Sequence, residues 1–179
     1  MPSADREERF NRLVREHGDA VHRYLRRRYR GGDGTDVEDL LADVMAIAWR
    51  RLDDVPGDAE APWLFGVARR RLSNARSRQT RRDRIMAPLR PKAASPAAEE
   101  EALADLGLRE ALSRLPDKER EALTLTAWEG LGPEQLATAL GVSVNAAAIR
   151  LSKAKTRLLG ILAENPDESS PPVATPKQP

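Results

Sequence analysis

Two groups of cations carry the chemistry that this sequence of 179 residues offers. From Gly141 to Leu158 there are four basic residues, Arg150, Lys153, Lys155 and Arg157, and no acidic one. From Arg69 to Arg84 there are eight arginines, Arg69, Arg70, Arg71, Arg76, Arg78, Arg81, Arg82 and Arg84, against one acid, Asp83. Cations grouped in this way neutralise phosphates and release counterions, which is the sequence-independent part of nucleic-acid affinity. A merely solvated face mixes signs, and eight nearly unbalanced positives repel one another unless a polyanion is present. Covalent chemistry has no comparable signature. There is no cysteine, hence no disulfide or thiolate metal site. His17 and His22 are the only histidines and read as helix-face residues, and the acids are accounted for by helix starts and loops. The expectation is no catalytic residue, no metal and no cofactor.

The first group is positioned by the stretch from Pro133 to Leu158. Pro133 suits the first turn of a helix, where its missing N–H is not needed. Leu136, Ala137 and Leu140 then lie on one face. Gly141 is free to take a positive φ and end that helix. Val142 plugs inward, and Ser143 caps a second helix whose inner face is Ala147, Leu151, Ala154 and Leu158. Asn145, Arg150, Lys153, Lys155 and Arg157 are left for its other faces. A helix, a tight turn and a cationic second helix form the geometry that sets one helix into the major groove of DNA. Cations also gather at helix ends because the dipole favours them there. The absence of any acid favours DNA.

The second group is positioned by a helix that Pro62 opens. Leu64, Val67, Ala68, Leu72 and Ala75 point inward, and Trp63 and Phe65 are expected at an exposed loop-helix junction. Aromatic rings beside a run of arginines can grip an unpaired strand, with rings on bases and guanidinium groups on phosphates. A loop from Asp53 to Pro62, with Pro56-Gly57 as its turn signal, precedes this helix. Before it stands a helix opened by Thr35-Asp36-Val37-Glu38, with Val37, Leu40, Leu41, Val44, Ala48 and Leu52 inward and Asp36, Glu38, Asp39 and Asp43 outward. The first helix spans about Asp5 to Tyr29, with Gly18 as an expected bend and the basic turn Arg26 to Arg30 at its end. The glycine loop Gly31 to Gly34 lacks the Gly-Lys-Ser/Thr of a phosphate-cradling loop.

Taken whole, the chain is 32% charged and only 4% aromatic, so its cores must be built from Leu, Ala and Val, as in helical bundles. The net charge of +2 conceals an uneven distribution, with acids gathered at 36–43, 53–60 and 99–101. That polarity suggests a polyanion at one surface and a basic protein partner at another. Three prolines between Met86 and Ala98 mark a linker, and residues 164–179 hold too little apolar material to pack. A helix spans Glu99 to Leu115 and another Asp117 to Trp128, broken at Leu115-Pro116. No apolar run reaches the length of a membrane span and the N-terminus has no signal-peptide pattern, so a cytoplasmic protein is expected.

The order of these parts is distinctive. An acid-capped helix followed by Trp49-Arg50-Arg51-Leu52, then Pro62-Trp63-Leu64-Phe65-Gly66-Val67-Ala68-Arg69, a proline-rich linker, Leu115-Pro116 and the helix-turn-helix resembles the extracytoplasmic-function (ECF) sigma factors of bacterial RNA polymerase. The resemblance covers roughly Phe10 to Leu162. It implies an all-α chain of two small helical domains: sigma two over residues 5–85, a flexible linker at 86–98, sigma four with the helix-turn-helix over 99–163, and a disordered tail at 164–179. It also implies a role in binding core RNA polymerase and directing promoter recognition, melting and initiation. The implied partners are the clamp helices of the largest polymerase subunit, the flap of the second largest, promoter DNA and an anti-sigma factor.

Residue by residue, the resemblance carries the clamp-binding role to Asp36, Glu38, Asp39, Leu40 and Asp43. Contacts to the minus-ten element fall to Asp58, Trp63, Arg69, Arg70, Asn74, Arg76 and Arg78. Those to the minus-thirty-five element fall to Ser143, Asn145, Ala148, Ile149, Arg150, Lys153 and Lys155. The chain departs from the family pattern at Ala42, where Gln is usual, at Met45, where an aromatic is usual, and at Arg70, which replaces Asn. Ala148 and Ile149 stand in for Lys/Arg and Ser. Losing those donors shifts reading of the duplex toward Asn145, apolar contact with thymine methyls, and DNA shape. A helix-turn-helix regulator acting without polymerase, and an enzyme acting on DNA such as a recombinase, are the competing classes. The acidic helix and the arginine run argue against the first, and the lack of a catalytic cluster against the second.

Overall fold

The computed structural model describes residues 3–29, 37–86 and 106–164. Among them are seven α-helices, one short 3₁₀ turn and no strand: α1 Ser3–Arg28, α2 Val37–Arg50, the 3₁₀ turn Leu52–Asp54, α3 Glu60–Met86, α4 Leu106–Arg114, α5 Asp117–Glu129, α6 Pro133–Leu140 and α7 Val144–Glu164. The all-α expectation holds. The Thr35-Asp36 helix start, the glycine loop, the proline-rich linker, residues 99–105 and the tail lie outside the described residues, as do the side chains of Arg82 and Arg84.

In the first half, α1, α2 and α3 pack on one another. Leu13, Val21, Tyr24 and Leu25 from α1 meet Leu40, Val44 and Ala48 from α2 and Leu64, Val67, Ala68, Leu72 and Ala75 from α3, all of them buried. Burial of such side chains contributes about 1.5–3 kcal/mol each relative to exposure. It therefore outweighs the roughly 0.5–1 kcal/mol that a mid-helix glycine costs. That is why α1 runs unbroken through Gly18, where a bend was expected. The expected loop is also shorter than the sequence suggests. Asp53 and Asp54 form the 3₁₀ turn, and α3 already begins at Glu60, ahead of Pro62.

In the second half, α6 and α7 form the helix-turn-helix, with α5 against both and α4 against α7. Gly141 has φ 67°, in the left-handed region, and its N–H donates to the Ala137 carbonyl at 2.8 Å. The Ala146 N–H donates to Ser143 Oγ at 3.2 Å, so the serine caps α7. The Gln135 side chain reaches back to accept from the Gly132 N–H at 3.0 Å and steadies the start of α6. Ala147 and Ala154 are buried as expected, while Leu151 and Leu158 are half-buried. Ile161 extends the inner face one turn further.

The two halves are not separate cores. One apolar cluster runs from Leu13 through Phe65 to Leu125, Leu136, Ala139 and Leu140. At its centre α3 lies against α6. A Cβ on Gly66 would sit 3.1 Å from the Ala139 carbonyl oxygen, closer than most real contacts, so glycine permits this backbone approach.

Candidate nucleic-acid interface

Along α3 the cations divide into two sets. Arg70, Asn74, Arg78 and Arg81 are exposed. Partial burial lowers the pKa of the Arg70 guanidinium, and the neighbouring charges of Arg69 and Arg51 lower it further. Such crowding of like charge is relieved by an anion. The other set is already engaged. Arg69 Nη2 donates to the Leu140 carbonyl at 3.1 Å, and its Nη1 lies 3.7 Å from Glu121 Oε2. Arg76 Nη2 donates to the Arg28 carbonyl at 3.0 Å, and Arg71 Nε is 3.7 Å from Asp43 Oδ2. The arginine run is thus better balanced than its sequence suggests, because acids distant in the chain are brought to it by folding.

The aromatic component also changes. Trp63 is half-buried, with the Arg51 guanidinium 5.8 Å from its ring. Phe65, expected at the surface, is only 3% exposed and packs on Tyr24 with ring centroids 5.3 Å apart. It directly precedes Gly66, at the point where α3 meets α6, which accounts for the difference.

Asp58 is exposed on the 51–59 segment, and α1 holds this segment from below. Arg6 Nη1 donates to Asp53 Oδ2 at 2.5 Å and its Nη2 to the Trp49 carbonyl at 2.7 Å. Arg9 Nη2 donates to the Val55 carbonyl at 2.7 Å. At the start of α3, Glu60 is 8% exposed; His17 Nε2 lies 3.3 Å from it, Arg12 3.9 Å and Arg9 4.0 Å. Glu16, His17 and Glu60 bring ligand-type atoms within 4.8 Å of one another, but the two arginines already offset the charge that a metal would need.

On α2, Glu38, Asp39 and Asp43 face solvent, with His22 Nε2 3.5 Å from Glu38. Leu40 is buried in the core and seats the helix, so the exposed acidic face consists of the carboxylates alone. Asp36 lies outside the described residues.

On α7, Asn145, Ala148, Ile149, Lys153 and Lys155 are exposed and Arg150 is half-buried. Ile149 keeps 48% of its surface exposed, which is unusual for isoleucine and suits an apolar contact to a groove. Ala148 and Lys155 also line an apolar groove of about 500 Å³, with Leu131, Leu136, Leu151 and Leu159. Arg157 pairs with Glu119 at 2.7 Å and is occupied within its own half.

Sequence reasoning missed the seam between the halves. Arg27 Nη2 meets both Glu129 oxygens at 2.7 and 2.8 Å, while Arg28 Nη1 meets Glu129 at 3.1 Å and its Nη2 meets Thr124 Oγ1 at 2.9 Å. Arg28 also lies 3.9 Å from the centre of the Tyr24 ring. The basic last turn of α1 was the trace of this seam in the sequence.

Comparison with known proteins agrees with this geometry. Residues 13–82 match Sigma-70 region 2 and residues 105–158 match Sigma-70, region 4. The chain is 32% identical over 162 residues to the RNA polymerase sigma factor NccH of Alcaligenes xylosoxydans xylosoxydans, covering 86% of each chain. It is 28% identical over 158 residues to the ECF RNA polymerase sigma factor SigL of Mycobacterium tuberculosis, covering 85% of this chain and 88% of that one. In fold it resembles the sigma factor RpoE of Bartonella quintana, solved in complex with the anti-sigma factor NepR, with a TM-score of 0.66 at 23% identity over 88% of this chain and 98% of that one. An arginine-rich α3 and a helix-turn-helix in the order of regions 2 and 4, with relatives matched over nearly their whole length, distinguish a polymerase subunit from a free-standing regulator: the chain belongs to the ECF sigma factors of RNA polymerase.

Proposed function

We propose that this sigma factor divides its promoter between two helices. The exposed carboxylates Glu38, Asp39 and Asp43 dock on the clamp helices of the largest polymerase subunit, and the second half meets the flap of the second largest. Asp58 and Trp63, with Arg69, Arg70, Asn74, Arg76 and Arg78, hold the opened minus-ten strand. Extruding a base costs a few kcal/mol, which a pocket beside the strand must offset. The start of α7, from Ser143 through Asn145, Ala148, Ile149 and Arg150 to Lys153 and Lys155, enters the major groove at the minus-thirty-five element. The chain itself makes and breaks no covalent bond; nucleotide addition belongs to the polymerase, beside which it works in the cytoplasm. An anti-sigma factor is a further partner, as RpoE of Bartonella quintana has in NepR.

The observation that carries this reading is the presence in one chain of two separate cationic faces, one along α3 and one on a helix-turn-helix. Run-off transcription with core polymerase on genomic promoter fragments tests it. Initiation at a discrete set of promoters is expected; failure at every promoter, with no association with core, refutes it.

A further inference from the structure

We propose that Glu60 is a positioning residue for minus-ten recognition, and that promoter selectivity is set partly from α1, outside the segment that meets the strand. This rests on the assignment of Asp58 and its neighbours to the opened strand, made above. The exposed tip Pro56-Gly57-Asp58 stands between two buried residues, Val55 at 3% and Glu60 at 8% exposure. One side chain of α1 reaches both. Arg9 Nη2 donates to the Val55 carbonyl at 2.7 Å and lies 4.0 Å from Glu60 Oε1. Arg12 Nη2 approaches the same carboxylate oxygen at 3.9 Å, and His17 Nε2 lies 3.3 Å from the other. Side chains spread over about two turns of α1 thus converge on one carboxylate at the start of α3.

Stability does not account for this arrangement. A nearly buried carboxylate loses its water, and here only the His17 contact is within hydrogen-bond distance, the two guanidinium groups standing off at 3.9 and 4.0 Å. An apolar residue of similar volume at position 60 would avoid that cost. The dipole at the start of α3 favours an acid there, but an exposed one would serve it equally well. What the ion cluster supplies is direction, because it ties the first residue of α3 to the side chain that also holds Val55. The tip has only the span between these two anchors in which to bend. A Cβ on Gly57 would meet nothing within 4 Å, so packing does not hold the tip from above. Its internal bond, from the Ala59 N–H to the Pro56 carbonyl at 3.1 Å, sets curvature and not placement. A recognition site drifts out of register when its supporting contacts loosen by as little as about 0.5 Å.

The test is initiation by the full chain with core polymerase, on a promoter found by run-off transcription and on its single-base variants in both elements. A misfolded fraction lowers initiation on every template alike, so the ratio between templates reports geometry and not the amount of active protein. Glu60→Gln keeps the volume and removes the charge; its discrimination against minus-ten changes should fall about fivefold or more, with discrimination against minus-thirty-five changes preserved. Glu60→Asp, which keeps the charge, should recover part of the loss. Arg12→Gln, at an exposed position, should shift the same ratio in the same direction, and Glu8→Gln, exposed on the same helix, should shift neither. Combined with Arg9→Ala, Glu60→Gln should cost no more than the larger single loss, because both act through one cluster. If Glu60→Gln gives no initiation at all, Arg12→Gln carries the test. Minus-ten discrimination that responds to Asp58→Ala but not to these variants, or that they lower equally at both elements, overturns the positioning role alone. Minus-ten discrimination indifferent to Asp58→Ala removes the tip from the strand, and the positioning role with it.

Discussion

At the scale of single residues, charge and burial together decide what each side chain can contribute. Lys153 is exposed on the outer face of α7, so Lys153→Ala should weaken promoter binding by about 1–3 kcal/mol if the amine meets a base. If it meets phosphate instead, the salt dependence should flatten by about one unit. Fluorescence anisotropy across a salt series separates the two, and an unchanged affinity and slope removes Lys153 from the site. Glu121 makes a second case. Burial raises its pKa, while Arg69, Arg28, the Tyr24 hydroxyl and Arg76 pull it down. With a net upward shift in the closed form, in which the halves are packed together, closure binds protons in the pH window between the ordinary carboxylate value and the raised one, and Glu121 stays an anion facing Arg69 above that window. Closure is then favoured as pH falls from neutrality toward the carboxylate range, and loses that contribution as pH rises through the raised value. Energy transfer between dyes placed on Ala46→Cys of α2 and Ala163→Cys of α7, both exposed, should accordingly grow on mild acidification; a decline contradicts the assignment. Burial raises the Tyr24 pKa too, which keeps its hydroxyl protonated as donor to Glu121.

Elements aim these residues, and their junctions are where aim is most easily lost. Gly141 holds a left-handed conformation that costs an L side chain about 1–2 kcal/mol. Gly141→Val should lower Tm by a few degrees and cost minus-thirty-five binding more than stability, because the turn sets the angle between α6 and α7. Equal losses in both, measured by calorimetry and anisotropy, contradict that view. The 51–59 segment depends similarly on α1. Arg9→Ala removes the donor to the Val55 carbonyl at a cost of about 1–3 kcal/mol. It should blur base preference at the minus-ten element while leaving minus-thirty-five preference intact, as read by transcription from promoter variants; Arg9→Lys should recover part of it.

For the molecule as a whole, the shared cluster makes the halves cooperative in the closed form. Trp49 and Trp63 report on the first half and Trp128 on the second, which permits a direct check. Urea transitions followed through single-tryptophan variants should coincide in the native seam and separate in Gly66→Leu. Separate transitions in the native chain would show that the cluster does not couple them.

Periodicity and punctuation in the sequence determined most of the elements: Pro133, Gly141 and Ser143 fall where local backbone chemistry demands them, and the apolar spacing of α1, α2, α3 and α7 names their inner faces. The order of those elements determined the family, since both cationic faces and the linker can be read along the chain. The tertiary structure alone decided which arginines remain available. Phe65 is buried and Arg69 engaged because Gly66 admits α6, and Glu121 and Glu129 reach their partners from about a hundred positions away in the chain. Local pattern reports how a segment folds on itself. Charge balance and occlusion at the seam depend on contacts between segments that no window of sequence contains.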